Sequence, residues 1–443
     1  MKNEDKILKE ALAHGLKLGA RDVEIYIEKS RSKNLELRKG QLEKSEDAAS
    51  IGVGIRVLRG QKEALVFRTS LEEGSLEKAV EEAYEMAPYL DENPHLTLGE
   101  AGEYRGAQSP GEDAAMEAAP EELKTHFLQS LEEQAVRRDV VLEGISYSEE
   151  HYLHRIINTR GLDKEESGAW CGASVSLAIQ KKGISETGYS YLYTRSLDKL
   201  LKRKLGNEAY SRAREMLGAG SVTTGKYPVI FHREVAASLL GLLAHSFSGE
   251  NLYKGKSLFT GKEGERVLSE KLQIIDDGTM EGVLGAKAFD GDGTVVRRNK
   301  VIQDGVFLGG LYNLSMAAKA GRETTGNSSR SFASLPGVRR NSLYIPRGQV
   351  SRKDMLSVMT KGLIIRDLMG LHMANPVTGE FSLGASGLLV ENGRIRGSFR
   401  GVTVSGNLKE LFSNLEGIGR DFRFETTLGA PSLFVKDVII SGS

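Results

Sequence analysis

Residues 21–67 read RDVEIYIEKSRSKNLELRKGQLEKSEDAASIGVGIRVLRGQKEALVF, and this stretch predicts a run of antiparallel strands. Residues 23–28 alternate strictly between apolar and polar side chains, which is the pattern of a strand with one buried face. Lys39-Gly40 and Arg59-Gly60 each stand between two apolar runs, an arrangement typical of hairpin turns. The expected strands are residues 23–28, 35–38, 42–45, 51–58 and 64–67.

Helical patterns enclose these strands. Apolar residues recur at helical spacing over residues 4–19, and residues 71–88 give a second helical pattern. Residues 1–90 are therefore predicted to form an N-terminal α+β domain. Residues 91–119 contain several proline, glycine and alanine residues and few large apolar ones, so they are predicted to be a linker.

A second unit, residues 120–220, repeats this order of elements. A helix is predicted from Pro120 to about Arg138, and a charged helix near residues 196–217 ends the unit. The four strands expected between these helices are residues 139–147, 151–158, 168–180 and 186–193.

Residues 226–443 are predicted to form a large, β-rich C-terminal domain. An apolar strand at residues 227–231 precedes a helix near residues 233–246. Asp304-Gly305 and Asn392-Gly393 lie between apolar runs, and these dipeptides are among the strongest hairpin signals. The fold class is therefore predicted to be α+β, with two helix–antiparallel-sheet–helix units followed by this domain.

Charge and cysteine content exclude several classes of protein. The 443 residues include 60 Lys+Arg and 60 Asp+Glu, so the chain lacks the basic excess of a nucleic-acid-binding protein. Cys171 is the only cysteine, which rules out an internal disulfide and fits a reducing compartment. The charged N-terminus is unlike a signal peptide, and the longest apolar stretch is shorter than the ~18 residues of a membrane span. We expect a cytoplasmic protein with no nucleic-acid partner and no membrane partner.

The histidines do not form a metal-binding pattern. His151 and His154 are three residues apart on a predicted strand, where odd offsets point to opposite faces. His232 and His245 bracket a predicted helix and are too far apart along it to share an ion. Residues 290–293 (DGDG) are not followed by the glycine and glutamate of a calcium loop, so a tight turn is the better interpretation.

Nucleotide and nucleophile motifs are incomplete. Residues 220–226 nearly spell a phosphate-binding loop, but Tyr227 follows instead of Ser or Thr. Gly52-Val53-Gly54 lacks the third glycine of a dinucleotide fingerprint. Gly384-Ala385-Ser386-Gly387 lacks the last glycine of a nucleophile elbow. Cys171 stands in an apolar strand, where a small buried side chain is the ordinary interpretation. We predict no catalytic, cofactor-binding or metal-binding residue in this chain.

Small and polar residues are concentrated in three segments of the C-terminal domain. Turn chemistry alone could place them there. Backbone that closely approaches another chain or an extended peptide would need the same residue types, and both interpretations stay open at this point. The candidate peptide- or partner-binding residues are Thr325, Gly326, Asn327, Asn375, Gly379, Glu380, Phe381, Ser382, Gly384 and Ser386.

The order of these segments closely resembles the TldD/PmbA family. The resemblance covers nearly the whole chain, is strongest after residue 225 and includes the order of three domains. The segments that carry it are FDGDGT (289–294), DGV (304–306), TGN (325–327), NPVTGEFSLGASG (375–387), SGNL (405–408), GIG (417–419) and APSL (430–433).

The resemblance implies one particular branch of that family. The TldD-like branch carries a helical His-Glu-x-x-x-His motif and a late cysteine, which together hold a catalytic zinc, and the PmbA-like or TldE branch lacks them. The equivalent helix here reads EVAASLLG (234–241), without a histidine pair, and no cysteine follows Cys171. The resemblance therefore implies a PmbA/TldE-like subunit of a two-chain metalloprotease for unfolded peptides, with the zinc in a TldD-like partner.

One alternative belongs to a different class of protein. The β-rich domain and the neutral charge also permit a homodimeric binding or scaffold protein without a proteolytic role, and a homodimer is expected to be possible when no partner is present. The family's older name, modulator of DNA gyrase, has no support in the charge pattern.

Overall fold

The computed structural model describes residues 2–102, 111, 113–181 and 183–442. Helix makes up 25% and strand 42% of it, and strands dominate the C-terminal region. The predicted α+β class is therefore confirmed. Residues 103–110 and 112 of the predicted linker lie outside the described residues.

The N-terminal half contains helices and long strands. The helices are α1 (Lys2–Lys17), α2 (Ser75–Met86), α3 (Ala114–Ala118), α4 (Glu121–Ala135), α5 (Leu197–Leu201) and α6 (Leu205–Met216). The strands are β1 (Asp22–Arg38), β2 (Gln41–Arg59), β3 (Lys62–Arg68), β4 (Val140–Asn158), β5 (Asp163–Lys181) and β6 (Ile184–Thr194).

The C-terminal half contains shorter elements. Its helices are α7 (Arg233–Leu243), α8 (Gly249–Tyr253), α9 (Leu314–Ala320), α10 (Arg352–Ser357) and α11 (Leu408–Ser413). Its strands are β7 (Gly225–Phe231), β8 (Ile274–Asp277), β9 (Arg298–Gln303), β10 (Val306–Phe307), β11 (Ser328–Ser329), β12 (Gly337–Val338), β13 (Leu343–Tyr344), β14 (Lys361–Met369), β15 (Glu380–Glu391), β16 (Arg394–Asn407), β17 (Leu415–Ile418), β18 (Arg423–Phe424), β19 (Leu428–Ala430) and β20 (Leu433–Ser441).

The strands of the two N-terminal units form one antiparallel sheet. Within the described residues its order is β3-β2-β1-β4-β5-β6. The two units meet where β1 pairs with β4, and Tyr26 lies between Gly54 of β2 and Ile156 of β4. We call this six-stranded layer the N-terminal sheet.

Its strands are fewer and longer than the sequence predicted. The runs expected at residues 139–147 and 151–158 form one strand, β4, and the short runs within β1 and β2 also merge. The polar residues between the runs do not break β4 because other side chains satisfy them. Lys124 donates to Glu149 at 2.6 Å, and the Trp170 indole donates to Glu150 at 3.0 Å.

The N-terminal sheet is covered on both faces. Val23, Ile25 and Ile27 of β1 pack in the core beneath α1 and α2. Glu24 and Tyr26 point to the other face and are buried too, where the C-terminal domain covers the sheet. The alternation in residues 23–28 predicted one buried face, and that expectation is wrong because a second domain covers the polar side.

Two further sheets build the C-terminal domain. In the described part of the chain, one has the order β10-β9-β8-β13-β19-β18 and the other β16-β15-β14-β7-β20-β17. The second sheet closes on itself because β16 also pairs with β20. Helix α7 packs against both sheets, and Leu239, Leu240 and Leu243 lie in their shared core. No helix of the described chain combines the length and the apolar character that a membrane crossing requires.

Candidate functional site

A turn before β15 contains the first of the predicted binding residues. Asn375 accepts the backbone N–H of Val377 at 3.0 Å and of Thr378 at 3.2 Å through its side-chain oxygen. Gly379 has a φ of 77°, which favours glycine. The Asn407 amide donates to the Thr378 carbonyl at 2.8 Å. Turn geometry therefore explains Asn375 and Gly379.

Strand β15 presents the next predicted residues on two faces. Phe381 points into the core of the C-terminal domain. Glu380 and Ser382 are exposed on the opposite face, and Gly384 and Ser386 are half-buried there. We call these four residues the outer face of β15. Another chain could reach this face, and its role in binding stays a prediction.

The remaining predicted residues are part of a buried polar network. Asn327 is fully buried, donates to Asp276 at 2.6 Å and accepts the Thr325 hydroxyl at 2.7 Å. Asn341 donates its side-chain amide to the Gly326 carbonyl at 3.0 Å and its backbone N–H to Asp276 at 2.8 Å. Burial raises the pKa of Asp276 to about 6, and the hydrogen bonds from Asn327 and Asn341 act in the opposite direction. Thr325, Gly326 and Asn327 therefore hold neighbouring backbone in place, and their predicted contact with a peptide stays untested.

The start of helix α7 is surrounded by arginines. Arg212 and Arg423 both donate to Glu234, the first acidic residue of the helix. His232 precedes α7, is buried, and has no hydrogen-bond partner for Nδ1 among the described residues. Burial, and after it the positive charge of nearby arginines such as Arg366, lowers the pKa of His232 to about 2. This environment is cationic and keeps the imidazole neutral.

A cavity of about 520 Å³ lies between the N-terminal sheet and the C-terminal domain, and we call it the interdomain cavity. Its sheet side is mainly aromatic and its other side mainly polar or charged. Residues that line it include Tyr26, Tyr152, His154, Trp170 and Tyr193 from the sheet, and Lys287, Ser328, Arg330, Arg339, Arg340 and Asn341 from the C-terminal domain.

Two elements fix the walls of the interdomain cavity. The Arg195 guanidinium donates to the carbonyls of Val283, Leu284 and Ala286 at 3.0–3.1 Å, which ties the C-terminal domain to β6. Asp290 accepts the backbone N–H groups of Asp292, Thr294 and Ser328 at 2.8–3.0 Å. Burial and the neighbouring Asp292 raise the pKa of Asp290. The predicted tight turn at residues 290–293 is confirmed, and its residues Asp290 and Gly291 line the cavity.

Comparison with known proteins identifies the family. Residues 23–87, 115–217 and 224–442 match the first, central and C-terminal domains of the PmbA/TldA metallopeptidases. The chain belongs to the PmbA/TldD metallopeptidase family.

Similar proteins extend over the full length of this family member. It is 26% identical to the metalloprotease PmbA of Escherichia coli O157:H7, over 99% of this chain and 96% of that protein. A Thermotoga maritima protein named as a modulator of DNA gyrase has a structure with a TM-score of 0.90 and 28% identity, over 99% of this chain and 100% of that one. TldE from Thermococcus kodakarensis, at 22% identity and a TM-score of 0.86 over 98% and 100% of the two chains, shows the same fold.

The metallopeptidase name raises the question of whether this chain can hold a metal ion. Among the described residues, no group of three or more His, Cys, Asp or Glu side chains is placed to bind one. At α7 the carboxylate of Glu234 is already engaged by two guanidinium groups, and a dication beside His232 would face the same positive charges. The residues at α7 therefore do not fit a zinc ion.

Other sequence motifs have structural explanations in this PmbA/TldD member. Cys171 is buried, and burial raises the pKa of its thiol to about 12, so it is not poised as a nucleophile. His151 and His154 line different cavities, as opposite faces of β4 require. Residues 220–226 run into strand β7, so no helix follows to receive a phosphate.

The interdomain cavity was missed from the sequence. Its cationic residues Lys287, Arg339 and Arg340 lie outside the motifs that resemble the family, and nothing local marks them. One signal was present: Tyr189, Tyr191 and Tyr193 alternate on β6, as Tyr152 and His154 do on β4. Aromatic side chains on the same face of neighbouring strands could have indicated a binding wall.

Proposed function

We propose that this chain is the metal-free, PmbA/TldE-like subunit of a two-chain metallopeptidase that acts on unfolded peptides. The observation that carries the proposal is the arginine-rich surrounding of α7. Arg212 and Arg423 hold Glu234 in the segment where the family resemblance locates the zinc-binding helix of the other branch. A chain that belongs to a metallopeptidase family and replaces this site with guanidinium–carboxylate contacts requires a second chain for metal chemistry.

The outer face of β15 is the surface that best suits the partner or the peptide. Met369 lies opposite Gly384 in the β14–β15 register and is 52% exposed, and Met373 in the following turn is 70% exposed. Val377, in the turn before β15, is also exposed. Exposed apolar side chains next to small residues favour close approach of another chain. We place the contact with a TldD-like, zinc-bearing subunit there.

The complex is proposed to act in the cytoplasm. The chain has one cysteine, and this cysteine is buried, which fits a reducing compartment. Its formal net charge is zero, so the chain has no excess of positive charge to attract a nucleic-acid substrate.

Co-expression with a zinc-bearing family member from the same source tests the proposal. We expect the two chains to purify together, and we expect an unfolded peptide to be hydrolysed by the pair and not by this chain alone. If this chain forms only a metal-free homodimer and hydrolysis by the zinc-bearing chain is unchanged by its presence, the proposal is wrong and a scaffold or binding role is favoured.

A further inference from the structure

The interdomain cavity contains cationic side chains that pair directly with no carboxylate of the described residues. Lys287, Arg339 and Arg340 line it, and within the described residues none of the three forms an ion pair or a side-chain hydrogen bond. Arg340 is half-buried, and burial together with the neighbouring Arg339 lowers its pKa. Asp276 acts on Arg340 as a counter-charge without forming an ion pair with it, so burial of the guanidinium is still costly, and an anion in direct contact would offset that cost.

Buried polar atoms in the same wall also have no partners. Ser328 and Asn341 are at most 3% exposed, and the Ser328 hydroxyl and the Asn341 side-chain oxygen have no hydrogen-bond partner among the described residues. The Arg330 side chain is fully buried, and its Nε and Nη2 lack partners there as well. Buried polar groups in folded proteins are normally hydrogen-bonded, so these atoms point to a ligand that supplies both donors and acceptors.

The opposite wall is shaped for an apolar group. The rings of Tyr152 and His154 stack with centroids 4.9 Å apart, and Trp170 meets Tyr193 edge-on at 5.8 Å. The cavity volume of about 520 Å³ lies in the range of small-ligand sites. A ligand for this cavity therefore combines an anionic end with an aromatic or large aliphatic group.

We propose that the interdomain cavity binds the C-terminal carboxylate of a short peptide whose last side chain is aromatic or large and aliphatic. Arg340 and Lys287 receive the carboxylate, a peptide N–H donates to the Asn341 oxygen, and the last side chain packs on the Tyr152–Trp170 wall. The anionic and aromatic character of the ligand follows from the cavity alone. The choice of a peptide over a free acid rests on the proposed function.

A carboxylate suits this cavity better than a phosphate group does. Glu150, Glu166 and Asp290 also line the cavity, so a dianion would meet like charges. The peptide unit next to a terminal carboxylate places an N–H donor for Asn341 beside the anionic group, whereas a phosphate can donate only through an O–H of the anionic group itself. The mixture of cations, acids and an unpartnered acceptor therefore favours a monoanion with an amide beside it.

Trp170 allows a direct test because it is the only tryptophan and lines the cavity. The isolated full-length chain is titrated with the tripeptide Ala-Ala-Phe, with its C-terminal amide and with inorganic phosphate, followed by tryptophan emission and by calorimetry. We expect saturable binding of the tripeptide. We expect the amide to bind about tenfold more weakly or worse, because a charge-assisted hydrogen bond is lost.

Matched variants assign the effect to the cavity. Arg340→Gln is expected to weaken the tripeptide by about tenfold without lowering the melting temperature. Arg394→Gln, at an exposed position on β16, is expected to bind as the wild-type chain does. If free phenylalanine binds with the same affinity as Ala-Ala-Phe, the ligand of the cavity is a small acid and not a peptide, and the proposal is overturned.

Four other results would overturn it as well. They are equal affinity for acid and amide, wild-type affinity in Arg340→Gln, phosphate binding tighter than the tripeptide, and no saturable signal in either assay. Because the partner is absent from these titrations, their failure leaves the two-chain proposal standing. Conversely, a chain that binds the tripeptide but never associates with a zinc-bearing subunit refutes only the proposed function.

Discussion

The N-terminal sheet and the C-terminal domain are in direct contact at β1 and β2, which we call the closed part of their interface. At β4 and β5 a cavity separates them, and we call this the open part. In the closed part, Arg330 donates to Glu24, and the Phe332 backbone N–H donates to Glu28 at 3.1 Å. In the open part lies the interdomain cavity, where Lys287 and Arg340 meet no carboxylate within hydrogen-bonding distance in the described chain. The same sheet face therefore carries a contact with a buried ion pair and a region whose cationic side chains form no ion pair among the described residues.

Side-chain size and charge account for the difference. A Cβ on Gly52 would lie 2.2 Å from the Phe332 ring, and a Cβ on Gly54 would lie 2.3 Å from the Phe332 carbonyl oxygen. Glycines on β2 thus let the C-terminal domain approach the backbone, whereas Tyr152 and Trp170 on β4 and β5 hold it away. The comparison indicates that the closed part stabilises the fold and the open part is left free for a ligand.

The largest loss of stability is expected from Glu24→Gln. Glu24 is fully buried, accepts a hydrogen bond from Arg330 and lies 3.5 Å from Arg56, so its neutralisation leaves the fully buried Arg330 guanidinium without its carboxylate partner. We expect a destabilisation of about 3–5 kcal/mol, measured by chemical unfolding. Glu46→Gln, an exposed control on β2, is expected to change stability by about 0.5 kcal/mol or less. Equal effects of the two variants would show that the closed contact is not electrostatically stabilised.

A smaller loss is expected from Gly54→Ala. The added methyl group overlaps the Phe332 carbonyl oxygen, so either β2 or the Phe332 segment has to move. We expect a loss of about 1–3 kcal/mol and faster proteolysis of the interface. Gly397→Ala is the control, because a Cβ there meets no atom within 4 Å. A wild-type melting temperature for Gly54→Ala would contradict the close approach of the two domains.

Arg340→Gln is expected to leave stability almost unchanged. Its guanidinium has no ion pair or side-chain hydrogen bond in the described chain, so its removal breaks no contact and relieves the cost of burying it. We expect a change within about 0.5 kcal/mol of the wild type, or a slight gain. A loss as large as that of Glu24→Gln would mean that the interdomain cavity is a structural contact and would remove the distinction between the two regions.

The smallest effect on stability, combined with a large effect on assembly, is expected from Gly384→Val. A Cβ on Gly384 makes only ordinary contacts, 3.4 Å from Met369. We expect an unchanged melting temperature and loss of pairing with the zinc-bearing chain, measured by size-exclusion chromatography. Gly379→Val is not a clean test, because the φ of 77° strains any β-branched residue there. Normal pairing of Gly384→Val would move the partner surface away from β15.

Local patterns predicted most of the elements but not how the domains cover each other. Alternation in residues 23–28 and the turns at Lys39-Gly40 and Arg59-Gly60 correctly predicted antiparallel strands, and Gly40 and Gly60 have positive φ. Burial of Glu24 and Tyr26 depends on Arg330 and Phe289, far away in sequence. The alternation of apolar and polar residues along a strand carries no information about contacts with residues far away in the sequence. The strand predicted to have one buried face is therefore found to be buried on both faces.

The sequence predicted the local structure of candidate site residues only where a backbone conformation, such as a turn, requires a particular residue type. Asn375 and Gly379 form the turn that their residue types indicate. Asn327 is a small polar residue that resembles a surface turn residue in the sequence, yet it is fully buried, because its side chain donates to Asp276 and the Arg339 carbonyl and accepts from Thr325 and Asn299. The cavity residues Lys287 and Arg340 come together only in the tertiary fold. In the sequence, no local pattern distinguishes them from other charged residues.

Native mass spectrometry of the tagged chain, purified from its own cells under mild, chelator-free conditions, tests the central claim most directly. The account predicts a complex of this chain with one different chain of the same family, and zinc that remains with the partner when the two are separated. Stoichiometric zinc on the isolated chain, together with peptide hydrolysis by that chain alone, would contradict the account.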